Sequence, residues 1–102
     1  MASPDKPEAD EWKARVLHAF AHPNRLKILL MLHQGKQSVG MLARELGVSE
    51  TTVLKHLVVL RTSNIIVMRR EGKAVFYEMA APEWGAFLTL ALDIPMRSDS
   101  GR

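Results

Sequence analysis

Residues 38–60, SVGMLARELGVSETTVLKHLVVL, hold two short apolar periodicities separated by a corner. Leu42, Ala43 and Leu46 fall at i, i+1 and i+4 and share one helical face, while Val53, Leu57 and Leu60 fall at i, i+4 and i+7 and share another. Between them stands LGVS. Gly47 is able to take the left-handed conformation that closes a helix. Val48 then turns inward, and Ser49 offers a hydroxyl to cap the helix that follows. Ala43, four residues before Gly47, leaves room for two helices to cross closely. An ordinary helical hairpin shares the periodicity. The joint spacing of Ala43, Gly47, Val48 and Val53 favours a helix-turn-helix, whose second helix lies in the DNA major groove.

Upstream, Trp12, Val16, Leu17 and Phe20 space as one apolar face of a first helix, expected over residues 10–21. Asp10 and Glu11 suit its positive end. Pro23 breaks the chain and is tolerated in the first turn of a second helix, which runs to a stop at Gly35. Its density of Leu and Ile marks it as mostly buried. Helices three and four are expected over 39–46 and 50–63. Downstream, Asn64 tolerates a left-handed turn, and 65–70 (IIVMRR) and 74–79 (AVFYEM) read as strands around a turn at Glu71–Lys73. Pro82 opens a last helix reaching residue 94, and Pro95 ends it. The expected organisation is one domain over 10–94 between a disordered tail, 1–9, and a polar tail, 95–102. Its order is helix, helix, helix-turn-helix, hairpin, helix. This is a mainly α fold with a small β-hairpin, a winged helix-turn-helix.

A chain of 102 residues suits a single domain, and its 47% apolar and 25% charged residues are ordinary for a globular protein. The absence of cysteine excludes disulfides, thiolate metal sites and thiol redox sensing. No signal peptide and no apolar run of membrane-spanning length is evident, so the cytoplasm is the expected compartment and no membrane partner is expected. The net charge of +3 is unevenly spread. Residues 1–12 carry one Lys against four acids, residues 13–73 eleven Lys and Arg against three acids, and residues 74–102 two Arg against four acids. The positive excess therefore coincides with the helix-turn-helix, which suits a polyanion.

These segments resemble the bacterial ArsR family, the arsenic-repressor-type winged-helix regulators. The stretches that carry the resemblance are AHPNRLKILLML at 21–32, with Pro23 and Arg25, SVGMLARELGVSETTVLKHLVVLRTSNIIVMRREGKAVFYEM at 38–79, and the aromatic-apolar final helix. The likeness covers about residues 12 to 92. It implies a homodimeric transcriptional repressor on a short inverted repeat, with the first and last helices at the dimer interface. The family's thiolate metal box does not carry over, because Ser38 and Gly40 stand where its two cysteines would be. Its other metal site uses Asp and His near the last helix, which here has Glu83 and Asp93 but no histidine. No cofactor is expected.

The residues expected to meet DNA are Ser49, Glu50, Thr51, Thr52, Leu54 and Lys55 on helix four, opposite its apolar face. The helix N-terminus favours phosphate, the hydroxyls suit phosphate or base edges, Glu50 can accept from cytosine N4 or hold a lysine, and Lys55 can donate to guanine or phosphate. Leu54 stands where the family often has a small polar residue, and it can touch a thymine methyl. His56 is open between half-buried packing and a phosphate contact. Gln37 and Ser38 precede helix three and can donate to the DNA backbone. Arg69, Arg70 and Lys73 form a basic wing for phosphate or the minor groove. A solvated hairpin tip is the plain alternative, and Arg69 has Glu71 as a possible ion-pair partner.

Trp12, Val16, Phe20, Trp84, Phe87, Leu88, Ala91 and Leu92 exceed what the terminal helices of so short a chain need, and are the expected dimer surface. A two-fold pair presents its recognition helices to half-sites roughly 34 Å apart. Two rivals remain. His18 and His22, four apart, with His33 on the next helix, allow a histidine-ligand metal-responsive repressor. A winged helix can also serve as a protein-interaction module without DNA binding. No glycine-rich phosphate loop or triad spacing is present, so an enzyme is not expected. The effector, whether a small organic ligand or a partner protein, is not legible.

Overall fold

The structure, a computed structural model, describes residues 7–93. Its elements are α1 (Pro7–Phe20), α2 (Pro23–Gln34), α3 (Val39–Leu46), α4 (Glu50–Thr62), β1 (Ile66–Glu71), β2 (Ala74–Met79) and α5 (Pro82–Leu92). The order is the expected one. The first helix starts earlier than expected, so residues 7–9 are helix rather than tail: Pro7 takes the first helical position, where a missing N–H costs nothing. The rest of the expected tails, residues 1–6 and 95–102, and Ile94, the expected end of the last helix, lie outside the described residues.

The α1–α2 corner is set by Arg25. It is buried, and its Nε donates to Ala19 O at 2.7 Å and its Nη2 to His18 O at 3.2 Å. A cation thus satisfies carbonyls at the C-terminal end of α1, where the helix dipole is negative. His22 caps α2, with its Nδ1 accepting from the Asn24 backbone N–H at 3.1 Å. Ile28, Leu29 and Leu32 bury one face of α2, while Leu30 stays partly in water, so the helix is less buried than its composition suggests.

The core joins α2 to Leu42 and Ala43 of α3, Val53, Leu57 and Leu60 of α4, Ile65 and Ile66, Tyr77 of β2 and Leu88 of α5. After α4, Asn64 adopts φ +62° and lets Ile65 N–H donate back to Leu60 O at 3.0 Å. Ile65, expected in the strand, is instead a fully buried plug between α4 and β1. The strands pair antiparallel from Ile66 opposite Met79 to Glu71 opposite Ala74. Glu71 therefore ends the strand rather than opening the turn, and Gly72, at φ +61°, turns the chain with Lys73. Gln37 adds a one-residue bridge to Tyr77, with N–H···O distances of 3.0 and 2.8 Å, which ties the loop before α3 to the wing. Gly85 is buried against α2, where a Cβ would overlap the His33 ring. Among the described residues, no helix is long and apolar enough to cross a membrane.

Candidate nucleic-acid interface

The α3–α4 corner is closed by backbone and hydroxyl groups. Gly47 sits at φ +71°, and its N–H and that of Val48 both donate to Ala43 O, at 2.9 and 3.2 Å. Ser38 Oγ accepts from Met41 N–H at 3.2 Å and so caps α3. Ser49 Oγ accepts from Thr52 N–H at 3.1 Å, caps α4, and lies 3.0 Å from Thr52 Oγ1. These hydroxyls, singled out in the sequence for DNA, have a structural use that fixes where α4 begins. With Val53, Leu57 and Leu60 buried, the opposite side of α4 carries Thr51, Leu54 and Lys55, all exposed. Glu50 is exposed too, with its carboxylate over Gly40 at the start of α3.

Gln37 departs from its expected role. Its backbone is bridged to Tyr77, and its side-chain amide donates to Met31 O at 3.5 Å, which turns it toward α2. The wing separates its two arginines by the alternation of a strand. Arg69 shares a face with Glu78 of β2 and forms an ion pair with it, so the expected Glu71 pairing is replaced. Glu71 is taken by Lys36, whose Nζ lies 2.5 Å from Glu71 Oε2 and 4.9 Å from the Phe76 ring centroid. Arg70 is on the other face, in line with Ile66 and Met68, and Met68 Sδ meets Arg61 of α4 at 4.0 Å. Arg70 and Lys73 are exposed and have no ion-pair partner among the described residues. They are the expected wing cations that remain unpaired among the described residues.

His56 packs rather than projects. Its ring lies 4.5 Å from that of His22, tilted by 53°. Burial first, then His22 and the Arg25 guanidinium, hold its pKa below the usual imidazole value. The histidines proposed as ligands do not converge. His22 caps a helix, and His33 Nε2 lies 3.4 Å from Thr89 Oγ1. Among the described residues, no group of three or more His, Cys, Asp or Glu side chains is placed to hold a metal ion.

The expected dimer residues divide in two. Val16 and Leu88 are buried in their own subunit, covered by the core that α2 organises, so little of either side chain is left for a second copy. Phe20 is half-buried against Trp84 and Phe87, with ring centroids at 5.8 and 5.2 Å. Trp12, Phe87, Ala91 and Leu92 are exposed, and so are Leu17 and Leu90, which the sequence reading left out of this surface. Trp12, Val16, Leu17, Trp84 and Phe87 line an apolar groove between α1 and α5.

Residues 22–67 match the profile of the bacterial regulatory proteins of the arsR family. An HTH-type transcriptional regulator of Mycobacterium tuberculosis is 34% identical over 91 residues, covering 88% of this chain and 80% of that protein. The biofilm growth-associated repressor of Agrobacterium fabrum is 42% identical over 67 residues, 66% of this chain and 57% of that protein. The solution structure of a homodimeric winged helix-turn-helix DNA-binding domain from Mycobacterium bovis superposes with a TM-score of 0.82 at 31% identity, covering 89% of this chain and 84% of that one. By this profile match and by the 34% identity over 88% of its length, this chain belongs to the ArsR family of bacterial regulatory proteins.

Proposed function

We propose that this chain is a homodimeric transcriptional repressor that binds an inverted-repeat operator, with α4 in the major groove and the wing on the flanking backbone or minor groove. One observation carries the reading: α4 buries Val53, Leu57 and Leu60 while Thr51, Leu54 and Lys55 stand outward beside a capped N-terminus. Among the described residues no side-chain hydrogen bond or ion pair uses that outward row, and its position on a helix-turn-helix suits base edges. Arg70 and Lys73 supply charge at the flank, and phosphate contacts of this kind set register without reading sequence. The exposed apolar residues of α1 and α5 suit the two-fold contact that brings two α4 helices to one operator.

Enrichment of duplexes from a random library, followed by affinity measurement across a salt series, tests the reading. The expected result is an inverted repeat whose binding weakens steeply with salt. Lys73→Ala should weaken all duplexes alike and make the salt slope shallower by about one. Absence of any enriched duplex at physiological ionic strength overturns the proposal.

A further inference from the structure

The row that α4 turns outward is not purely polar. Thr51, Leu54, Lys55 and Val58 fall at i, i+3, i+4 and i+7, so they share one face, opposite the buried row. Leu54 is 44% exposed and Val58 60% exposed. Val58 was not among the residues singled out from the sequence. These two aliphatic side chains stand about one helical turn apart, roughly 6 Å along the axis. Cations surround them: Lys55 lies between them in the row, Arg61 follows Val58, and Arg15 of α1 lines the same cleft as Val58. An apolar stripe set among cations matches one surface in particular. The floor of the DNA major groove is bordered by phosphates and presents a single apolar group, the C5-methyl of thymine.

Resting on the proposed DNA-binding function, we propose that Leu54 and Val58 are specificity-determining residues that read thymine methyl groups, so that each operator half-site carries thymines within about two base-pair steps of one another. Leu54 has no hydrogen-bonding group, so it cannot select a base by donors or acceptors. It selects by what it covers. Over thymine it removes a methyl from water. Over cytosine it covers the N4 amino group and leaves a donor unpaired. The apolar surplus suited to a second copy lies on α1 and α5, whereas this stripe is continuous with Thr51 and Lys55 of the candidate interface.

The test uses the duplex enriched by the wild-type chain and a version in which the half-site thymines are replaced by deoxyuridine. Deoxyuridine keeps every hydrogen bond and lacks only the methyl. Each methyl removed should weaken wild-type binding by about fourfold. Leu54→Ala and Val58→Ala alter exposed positions and should keep the fold, and the double variant should bind the two duplexes equally. Equal wild-type affinity for both duplexes overturns the methyl reading while leaving DNA binding intact. A double variant that changes the monomer–dimer midpoint and keeps the full thymine preference also overturns it, and makes the stripe a protein contact. Failure to enrich any duplex removes the proposed function and this reading with it.

Discussion

The α3–α4 unit and the α1–α5 pair both leave some apolar side chains in water, Leu54 and Val58 on the one and Leu17 and Leu90 on the other, yet only the first is closed by its own caps and corner hydrogen bonds. In α3–α4 the core-facing rows are buried, both N-termini are capped by serine hydroxyls and the corner is closed by two hydrogen bonds to Ala43 O. In α1–α5 the apolar residues run past the core: Leu17 is 59% exposed and Leu90 72% exposed. The α5 N-terminus has no side-chain cap. A unit that must present a fixed surface is finished within one subunit. In the proposed two-fold pair, the exposed apolar residues of α1 and α5 are the surface that meets the second copy.

The comparison breaks first at Leu57, which is fully buried on α4. Leu57→Ala should lower unfolding stability by about 3 kcal/mol through lost burial and the cavity left behind, read by urea denaturation. That loss should be the same in monomer and dimer if α4 is self-contained. Phe87→Asp makes the converse test. It should leave the helical circular dichroism unchanged, shift sedimentation toward the monomer, and weaken operator binding by about a hundredfold, because the second half-site contact is no longer intramolecular. A Phe87→Asp protein that stays dimeric places the two-fold contact elsewhere.

The smallest effect sharpens the comparison where α4 meets the start of α2, at the contact of His22 with His56. His56 protonates less readily in the folded chain than in the unfolded one. The unfolded state therefore binds more protons just below its ordinary pKa of about 6.5, and stability rises with pH there. The contribution is fully present above that value and is lost as pH falls from it toward the depressed folded value. Urea midpoints measured between pH 7.5 and 5.5 should fall modestly, and His56→Gln should flatten the profile. A flat wild-type profile removes this contact as a source of pH dependence.

Local signals made the helix-turn-helix legible. Two opposed periodicities and a glycine at the corner lie within one short stretch, and Gly47, Ser49, Asn64 and Gly72 act through their own backbone. Long-range pairings were not legible. The Gln37–Tyr77 bridge and the Lys36–Glu71 ion pair join residues 40 and 35 positions apart. Arg69 met Glu78 rather than Glu71 because strand register sets diagonal neighbours, and register follows only once the turn is known to be Gly72–Lys73. Val16 and Leu88, buried within their own subunit, show a different limit. Periodicity marks which face of a helix is apolar, but it does not say whether that face meets its own core or a partner. The exposure of Val58 is not legible either, because an aliphatic residue in an apolar run reads as core until the helix is set against its neighbours.

Gly85 gives the molecule a mechanical property. Helix α5 rests on α2 through a missing side chain, with the His33 ring filling the notch. In the proposed two-fold pair α5 is also the hinge plate between subunits, so a methyl inserted at residue 85 would work like a shim under a caliper jaw. Over the roughly 34 Å between half-sites, a tilt of about 5° displaces the far jaw by about 3 Å, close to one base step. In the proposed pair, the gauge of the caliper, and with it the operator spacing it accepts, rests on a helical position that has nothing to protrude.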